Sequence, residues 1–303
     1  MHKILIAFLK IQAFLLSLLP RKIFLFKARA LGFLLYFFGF RKNIIEENIS
    51  RAYPEWADNQ RRAFLKKNYQ HYGIVFLEIL RSFYHFERYI LKYSEVEGAE
   101  NVQEAIAQGK GVLALTAHMG NWEVMAASAM IFLKIPTTMV TKQLKPKWLH
   151  DFVEKERASM KIKMAFEPKT LSRVMRALKN KELVGFVMDQ YTGAPVGARV
   201  PFFGVPVGSQ TALAALAIRT KAVVVPAFAY RKADGTYGLR FEKAIPTIEN
   251  DNLEDAIILN TAKYVEITER WVREFPDQWL WIHRRWKGDL SPLAPNSVGE
   301  MLR

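Results

Sequence analysis

The sequence predicts an α/β fold, a mixed central sheet with helices on both faces, plus an N-terminal helical membrane-associating arm. Three observations predict it. Residues 1–42 are apolar and basic without a single acid. Beyond about residue 95, short apolar runs alternate with helical stretches, the pattern of strands covered on both faces. Half of the 303 residues are apolar and 13% aromatic, enough for a large core. The division expected is a hairpin over 1–42 and an α/β domain over 43–303, with no internal repeat and no low-complexity linker.

The arm carries eight basic residues, Lys3, Lys10, Arg21, Lys22, Lys27, Arg29, Arg41 and Lys42. Apolar runs lie between them, from Ile4 to Leu9, Ile11 to Leu19 and Ala30 to Phe40. Pro20 divides the region into two helical pieces, because proline disfavours a continuous helix. Neither piece offers the roughly 18–20 uninterrupted apolar residues that span hydrocarbon. The expectation is a hairpin in the membrane interface, apolar side in the acyl boundary and Lys and Arg against anionic head groups. A pair of buried packing helices and a single-pass span are the alternatives.

Residues 43–90 read as helical, with a break at Ala52-Tyr-Pro-Glu-Trp-Ala57 and Pro54 near the first turn of the helix that follows. Phe64, Tyr69, Tyr72, Val75, Phe76, Ile79, Leu80 and Phe83 recur at helical spacing and read as core. Strands are expected at 111–117, 136–141, 183–188, 222–230 and 238–245. Helices are expected near 120–133, 146–159, 168–180, 209–221 and 252–275.

Lys and Arg number 44 against 29 Asp and Glu, a formal net charge of +15 that favours anionic partners. The absence of cysteine excludes disulfides, thiolate zinc sites and cysteine nucleophiles. No G-x-S-x-G elbow and no H-E-x-x-H occurs, and the six histidines are scattered, so no metal site or cofactor is expected. Nucleic-acid motifs are missing, and no nucleic-acid partner is expected.

The sharpest feature is Thr116-Ala-His-Met-Gly-Asn-Trp-Glu123, following an apolar strand and opening a helix. Asn121 is suited to cap that helix, which puts Glu123 in its first turn. Ligands of open α/β sheets sit beyond the carboxyl ends of strands. A histidine there, with a carboxylate five positions on, can form a dyad in which His118 removes a proton from an alcohol and Glu123 fixes its tautomer. The spacing alone is equally compatible with Glu123 complementing the helix dipole and His118 being a satisfied polar group.

His118-Met-Gly-Asn-Trp-Glu123 resembles the H-x4-D/E block of the lysophospholipid acyltransferase superfamily, and more narrowly the late acyltransferases of lipid A biosynthesis, the lauroyl/myristoyl transferase family. Ala52-Tyr-Pro-Glu-Trp56 resembles that family's N-terminal signature. Val187-Met-Asp-Gln190 with Val200-Pro-Phe-Phe-Gly-Val-Pro206 resembles its middle block, and Gln278-Trp-Leu-Trp-Ile-His-Arg-Arg-Trp286 its C-terminal block. The likeness runs from about residue 11 to about residue 287.

The resemblance implies an acyltransferase moving a fatty acyl chain from acyl carrier protein to a hydroxyl of a lipid A precursor, at the cytoplasmic face of the cell inner membrane. His118 would be the general base and Glu123 its orienting acid. Asp189 would be a substrate-site acid, and Arg199 with the Phe202-Phe203-Gly204 turn would border the cleft. Backbone N–H groups at 120–123 would receive charge on the thioester oxygen. Met125, Met130, Ile131 and Phe132, with the two phenylalanines, would line a groove for the chain. The family usually carries arginine after the second of the expected strands. This chain has Lys142, which keeps the charge but not the bidentate fork, so Arg157 is the alternative binding residue. That departure keeps open another acceptor, a lysophospholipid, glycolipid or ornithine lipid. A non-catalytic basic lipid-binding protein is the remaining alternative. Arg284, Arg285 and Lys287 beside Trp279, Trp281 and Trp286 read either as an interfacial belt or as surface packing.

Overall fold

Five apolar runs expected to be strands are strands, and four further segments join them. The computed structural model describes residues 2–291, so residues 292–303 of the expected 43–303 domain lie outside the described residues. The strands of the main sheet are β1 (Ser94–Glu97), β2 (Val112–Thr116), β3 (Thr137–Val140), β4 (Ile162–Ala165) and β5 (Leu183–Val187). Beyond the β6 (Gly197–Phe202) and β7 (Val205–Gln210) hairpin, β8 (Val223–Arg231) and β9 (Tyr237–Phe241) complete it. The seven-stranded order is β1-β9-β8-β2-β5-β3-β4, with β8 and β9 antiparallel and every other neighbouring pair parallel. The expectation of a mixed sheet holds.

Strand alternation then decides what each face buries. Leu113 and Leu115 of β2 point into a cluster with Val184, Phe186, Val224 and Phe228. Val112 and Ala114 point into a second cluster with Val225, Ala227 and Leu239. Helices α10 (Ala212–Thr220) and α11 (Leu253–Glu274) cover the first face. Helices α5 (Phe86–Tyr93), α6 (Ala99–Ala107) and α7 (Trp122–Leu133) cover the second. Helices α8 (Lys147–Ser159) and α9 (Thr170–Lys179) connect the strands on the far side of β5.

Four helices precede the sheet: α1 (His2–Leu18), α2 (Arg21–Phe37), α3 (Lys42–Ala52) and α4 (Asp58–Arg81). Pro20 separates α1 from α2 as expected, but Pro54 lies three residues ahead of the α4 cap, Ala57, rather than in a first turn. The aromatic stripe of α4 is only partly core: Phe64, Tyr69, Tyr72 and Val75 are buried, whereas Phe76 is exposed.

Helix α2 is docked, not free. A Cβ added at Gly73 of α4 would meet the Ala28 carbonyl at 2.2 Å, and one at Gly32 would meet the Tyr69 carbonyl at 2.3 Å. Only glycine permits two helix backbones to approach so closely. Phe24, Leu25 and Ala28 are buried, while Phe26, Phe33 and Phe37 on the same helix are exposed. The arm therefore packs on the body with one face and presents a second apolar face outward, as α1 also does through Ile4, Phe8, Ile11 and Leu18. Four of the eight basic residues contact the protein itself: Lys10 pairs with Glu156 of α8 at 2.9 Å, Arg21 points inward to Glu78, Arg41 donates to the Ile282 carbonyl at 3.2 Å, and Lys42 lies 3.7 Å from Glu46. Among the described residues no single helix is long and apolar enough to cross a membrane; α2 and α3 would be only together, and they meet at 92°.

Candidate active site

His118 and Asp189 stand at the carboxyl ends of neighbouring parallel strands. Thr116 of β2 is in register with Val187 of β5, and the Met188 N–H continues the ladder to the Thr116 carbonyl at 3.0 Å. The two following loops are thereby held side by side. The Asp189 carboxylate accepts the His118 backbone N–H at 2.8 Å and its ring Nδ1 at 2.9 Å, and the Trp279 indole N–H donates to it at 2.8 Å. With Nδ1–H committed to Asp189, this network assigns the free lone pair to Nε2.

Asp189 is 3% exposed. Burial alone would raise its pKa, but the charge of His118, the two His118 hydrogen bonds and the Trp279 donor outweigh it and hold the carboxyl at about 2. Burial likewise pushes His118 down. The charge and hydrogen bond of Asp189, with a contribution from Glu123, win and raise the imidazole above its ordinary 6.5. A buried carboxylate paired this way stabilises the imidazolium that a general base becomes.

The expected hydrogen bond from His118 to Glu123 is absent, and this is a correction. Asn121 caps α7 as expected, accepting from the Glu123 and Val124 N–H groups at 3.1 and 3.3 Å. Glu123 in that first turn is drawn to Arg157 of α8. The guanidinium grips it with two nitrogens, Nε at 3.2 Å from Oε2 and Nη2 against Oε1. Such fork-to-fork pairing is the strong geometry for arginine and carboxylate.

His118, Glu123 and Arg157 line a cavity of about 110 Å³ between the sheet and α7. Its floor is one face of three strands: Ala114 and Thr116 of β2, Thr137 and Met139 of β3, Leu183, Gly185 and Val187 of β5. Alternate residues of a strand share a face. The contact runs along the whole of β5, roughly 13 Å at about 3.3 Å per residue. Ala114 and Gly185 make the space; a Cβ at Gly185 would meet the Met139 sulfur at 2.4 Å. Of the apolar residues expected to line a groove, Met125 does so, whereas Met130, Ile131 and Phe132 are not among the cavity walls.

The C-terminal block holds the His118 loop in place. Leu280 N–H donates to the His118 carbonyl at 3.1 Å, and Gly120 N–H to the Gln278 carbonyl at 3.0 Å. The expected charge-receiving donors at 120–123 are thus reduced, since Gly120 and Glu123 have spent theirs. Gly120 has φ +55°, and a Cβ there would meet the Ala229 carbonyl at 2.2 Å, so no other residue fits between the loop and β8. His71 is kept neutral, its pKa held to about 3 by burial and then by Arg231, and its Nε2–H donates to the Gly120 carbonyl at 3.0 Å. Asn68 of α4 donates to the carbonyls of Asp277 and Trp279 at 2.9 and 3.1 Å.

Trp279, Trp281, Trp286 and Arg285 are buried, so neither an interfacial belt nor surface packing describes them. Arg199 is on β6 and pairs with Asp289 at 3.0 Å, away from the cavity walls. Phe202 and Phe203 are buried among Trp279, Trp286 and Tyr53, and they do not border the cavity either. The hairpin they belong to is an aromatic buttress behind the Asp189 loop. Lys142 is exposed just past β3, and its charge reaches His283. His283 lies 5.6 Å from the His118 ring, centre to centre, and contacts Gln190 at 3.1 Å. Burial, then the charge of His118, lowers its pKa. Its place near the site had no signal in spacing, since the two histidines lie 165 positions apart. Among the described residues, no three His, Asp or Glu are grouped as a metal site.

A family profile described as bacterial lipid A biosynthesis acyltransferase matches residues 1–288. The chain is 27% identical to the lipid A biosynthesis lauroyltransferase of Escherichia coli over 82% of its length and 79% of the relative's. It is 24% identical to the palmitoleoyltransferase of the same organism, over 85% and 82%. A phosphatidylinositol mannoside acyltransferase of Mycobacterium tuberculosis is 25% identical over 65% and 61%.

Proposed function

Because this chain belongs to the bacterial lipid A biosynthesis acyltransferases, we propose that it moves a fatty acyl chain from acyl carrier protein to a hydroxyl of a lipid A precursor. The observation that carries the mechanism is His118, oriented by Asp189, at an apolar cavity. His118 Nε2 takes the proton of the acceptor hydroxyl as its oxygen attacks the thioester carbonyl. The carbonyl oxygen gains negative charge, which the Arg157 guanidinium at the cavity wall favours. The tetrahedral intermediate then collapses, the C–S bond breaks, and the imidazolium returns its proton to the departing thiolate. The ester product and the free carrier thiol result.

The cavity along β5 takes the fatty chain, excluding water from a site lined by Ala114, Met139, Leu183 and Val187. Glu123 fixes Arg157 and adds its charge to the imidazolium's surroundings. Lys142 meets anionic groups of the acceptor at the rim. The exposed apolar faces of α1 and α2 support membrane association at the cytoplasmic face of the inner membrane, where each nearby basic residue adds about 1 kcal/mol. The formal charge of +15 suits both an acidic carrier and a phosphorylated acceptor.

A second reading keeps the chemistry and changes the acceptor to another glycolipid. Lys142 in place of an arginine and the mycobacterial relative favour it. Mass spectrometry of lipids from a deletion strain separates the two. Lipid A lacking one secondary acyl chain supports the first reading, and intact lipid A with another lipid under-acylated supports the second.

A further inference from the structure

A second cleft, of about 550 Å³, opens where α1 turns into α2 against the end of α4 and α5. Arg21, Arg81, His85, Arg88 and Lys92 line it, and no carboxylate does. Arg21 is committed to Glu78 and the Gly235 carbonyl. Arg81 is not. Its guanidinium lies 4.1 Å from the centre of the Tyr89 ring, and its Nη1 is buried without a hydrogen-bond partner among the described residues. Buried charged donors are costly to leave unpaired, so an unpaired one beside a cleft points to an absent acceptor. Arg88 and Lys92 are exposed one helical turn apart on α5, and neither forms an ion pair among the described residues. The rim is apolar: Phe14 and Leu18 of α1 line the cleft and are also exposed.

Cations beside an exposed hydrocarbon surface match an amphiphile carrying a phosphate, not a nucleic acid or an acidic peptide. Basic pockets between membrane-associated helices take lipid head groups by the same logic. We propose that this cleft binds the phosphate head group of an anionic bilayer phospholipid through Arg81, Arg88 and Lys92, with its acyl chains lying along Phe14 and Leu18. The cleft is separate from the His118 cavity, with which it shares no lining residue. It would seat the protein at a fixed depth and orientation on the bilayer.

The inference rests on the membrane-associated reading of α1 and α2. Its test uses monomeric lipid and no acyl transfer, so its failure leaves the enzymatic reading standing, and loss of activity leaves the cleft standing. Full-length protein in nonionic detergent is titrated calorimetrically with dihexanoyl phosphatidylglycerol, dihexanoyl phosphatidylcholine and inorganic phosphate. The expected result is at least a tenfold preference for the phosphatidylglycerol over both others. That preference is lost in Arg81→Gln/Arg88→Gln/Lys92→Gln and retained in Lys3→Gln/Lys22→Gln. If the triple variant misfolds by circular dichroism, the exposed pair Arg88→Gln/Lys92→Gln serves, with at least a threefold weakening expected. Unchanged binding in the folded variants, equal binding of the phosphatidylcholine, or equal binding of inorganic phosphate overturns the proposal.

Discussion

His118 donates its Nδ1–H to the Asp189 carboxylate at 2.9 Å, and Asp189 also accepts the backbone N–H of the same histidine at 2.8 Å. One carboxylate thus fixes both the ring and the loop that carries it. Glu123, five residues along the chain, is instead held by Arg157.

The pH dependence of acyl transfer follows from that relationship. His118 has its pKa raised in the folded protein, and only its neutral form accepts a proton. The rate therefore climbs as pH rises through a midpoint above 6.5. In Asp189→Asn the opposing effect of burial is left without the carboxylate charge, and the midpoint moves to lower pH. The plateau rate falls by about 10²-fold from misorientation of the ring. A pH series of kcat/KM for both proteins checks it. An unchanged midpoint in the variant contradicts the pairing.

Glu123 and Arg157 act as one unit at the cavity wall. Glu123→Gln and Arg157→Lys each lose the fork, and the double variant costs little more than either alone. The coupling expected between them is about 0.5–3 kcal/mol. A double-mutant cycle on kcat/KM measures it, and additive losses would show the two side chains working separately.

The proposed seat of the fatty chain is the room that β2 and β5 leave. Ala114→Leu projects into the cavity along the fatty chain's path and shifts the product toward shorter acyl groups. Overpacking of this kind costs about 1–3 kcal/mol of stability. Competition among carrier-bound chains of several lengths, read by product mass, tests this. An unaltered length profile in a folded variant places the chain elsewhere.

Acid sensitivity has a local origin in Glu78, 0% exposed, which binds Arg231 at 2.7 and 3.0 Å, Arg21 at 3.2 Å and the cap residue Asn121 at 3.2 Å. Burial pushes its carboxyl up, but the two arginines and Tyr237 hold it at about 2. A carboxyl depressed from 4.5 contributes stability that is present above that value and lost as pH falls toward 2. Glu78→Gln leaves two buried guanidinium groups uncompensated, costing about 3–5 kcal/mol at pH 7. It also flattens the acid limb below pH 4.5. Denaturant unfolding at pH 7, 4 and 3 checks both outcomes.

Much of the architecture was legible because long apolar runs such as 222–230 and 183–188 have few alternatives to being buried strands. The β6–β7 hairpin was not, because Pro201, Gly204 and Pro206 interrupt its alternation. Strands β1 and β4, four residues each, are too short to show a period. At the site, His118 stood out by its position after a strand. Its partner did not, because β2 and β5 become neighbours only once the sheet order is known, and the acid nearest in sequence is captured from another direction by Arg157. Ala114 and Gly185 likewise look like ordinary core until the face they share is seen to be unfilled. The resemblance implies that Phe202, Phe203 and Arg199 border the cleft; local packing with Trp279, Trp286 and Asp289 places them behind it.

The most direct measurement is transfer of a labelled acyl chain from acyl carrier protein to purified lipid A precursor by wild type and His118→Ala in the same detergent. The account predicts a loss on the order of 10²–10⁴-fold in kcat, with the variant's melting temperature close to wild type. Near-normal turnover by His118→Ala would contradict it.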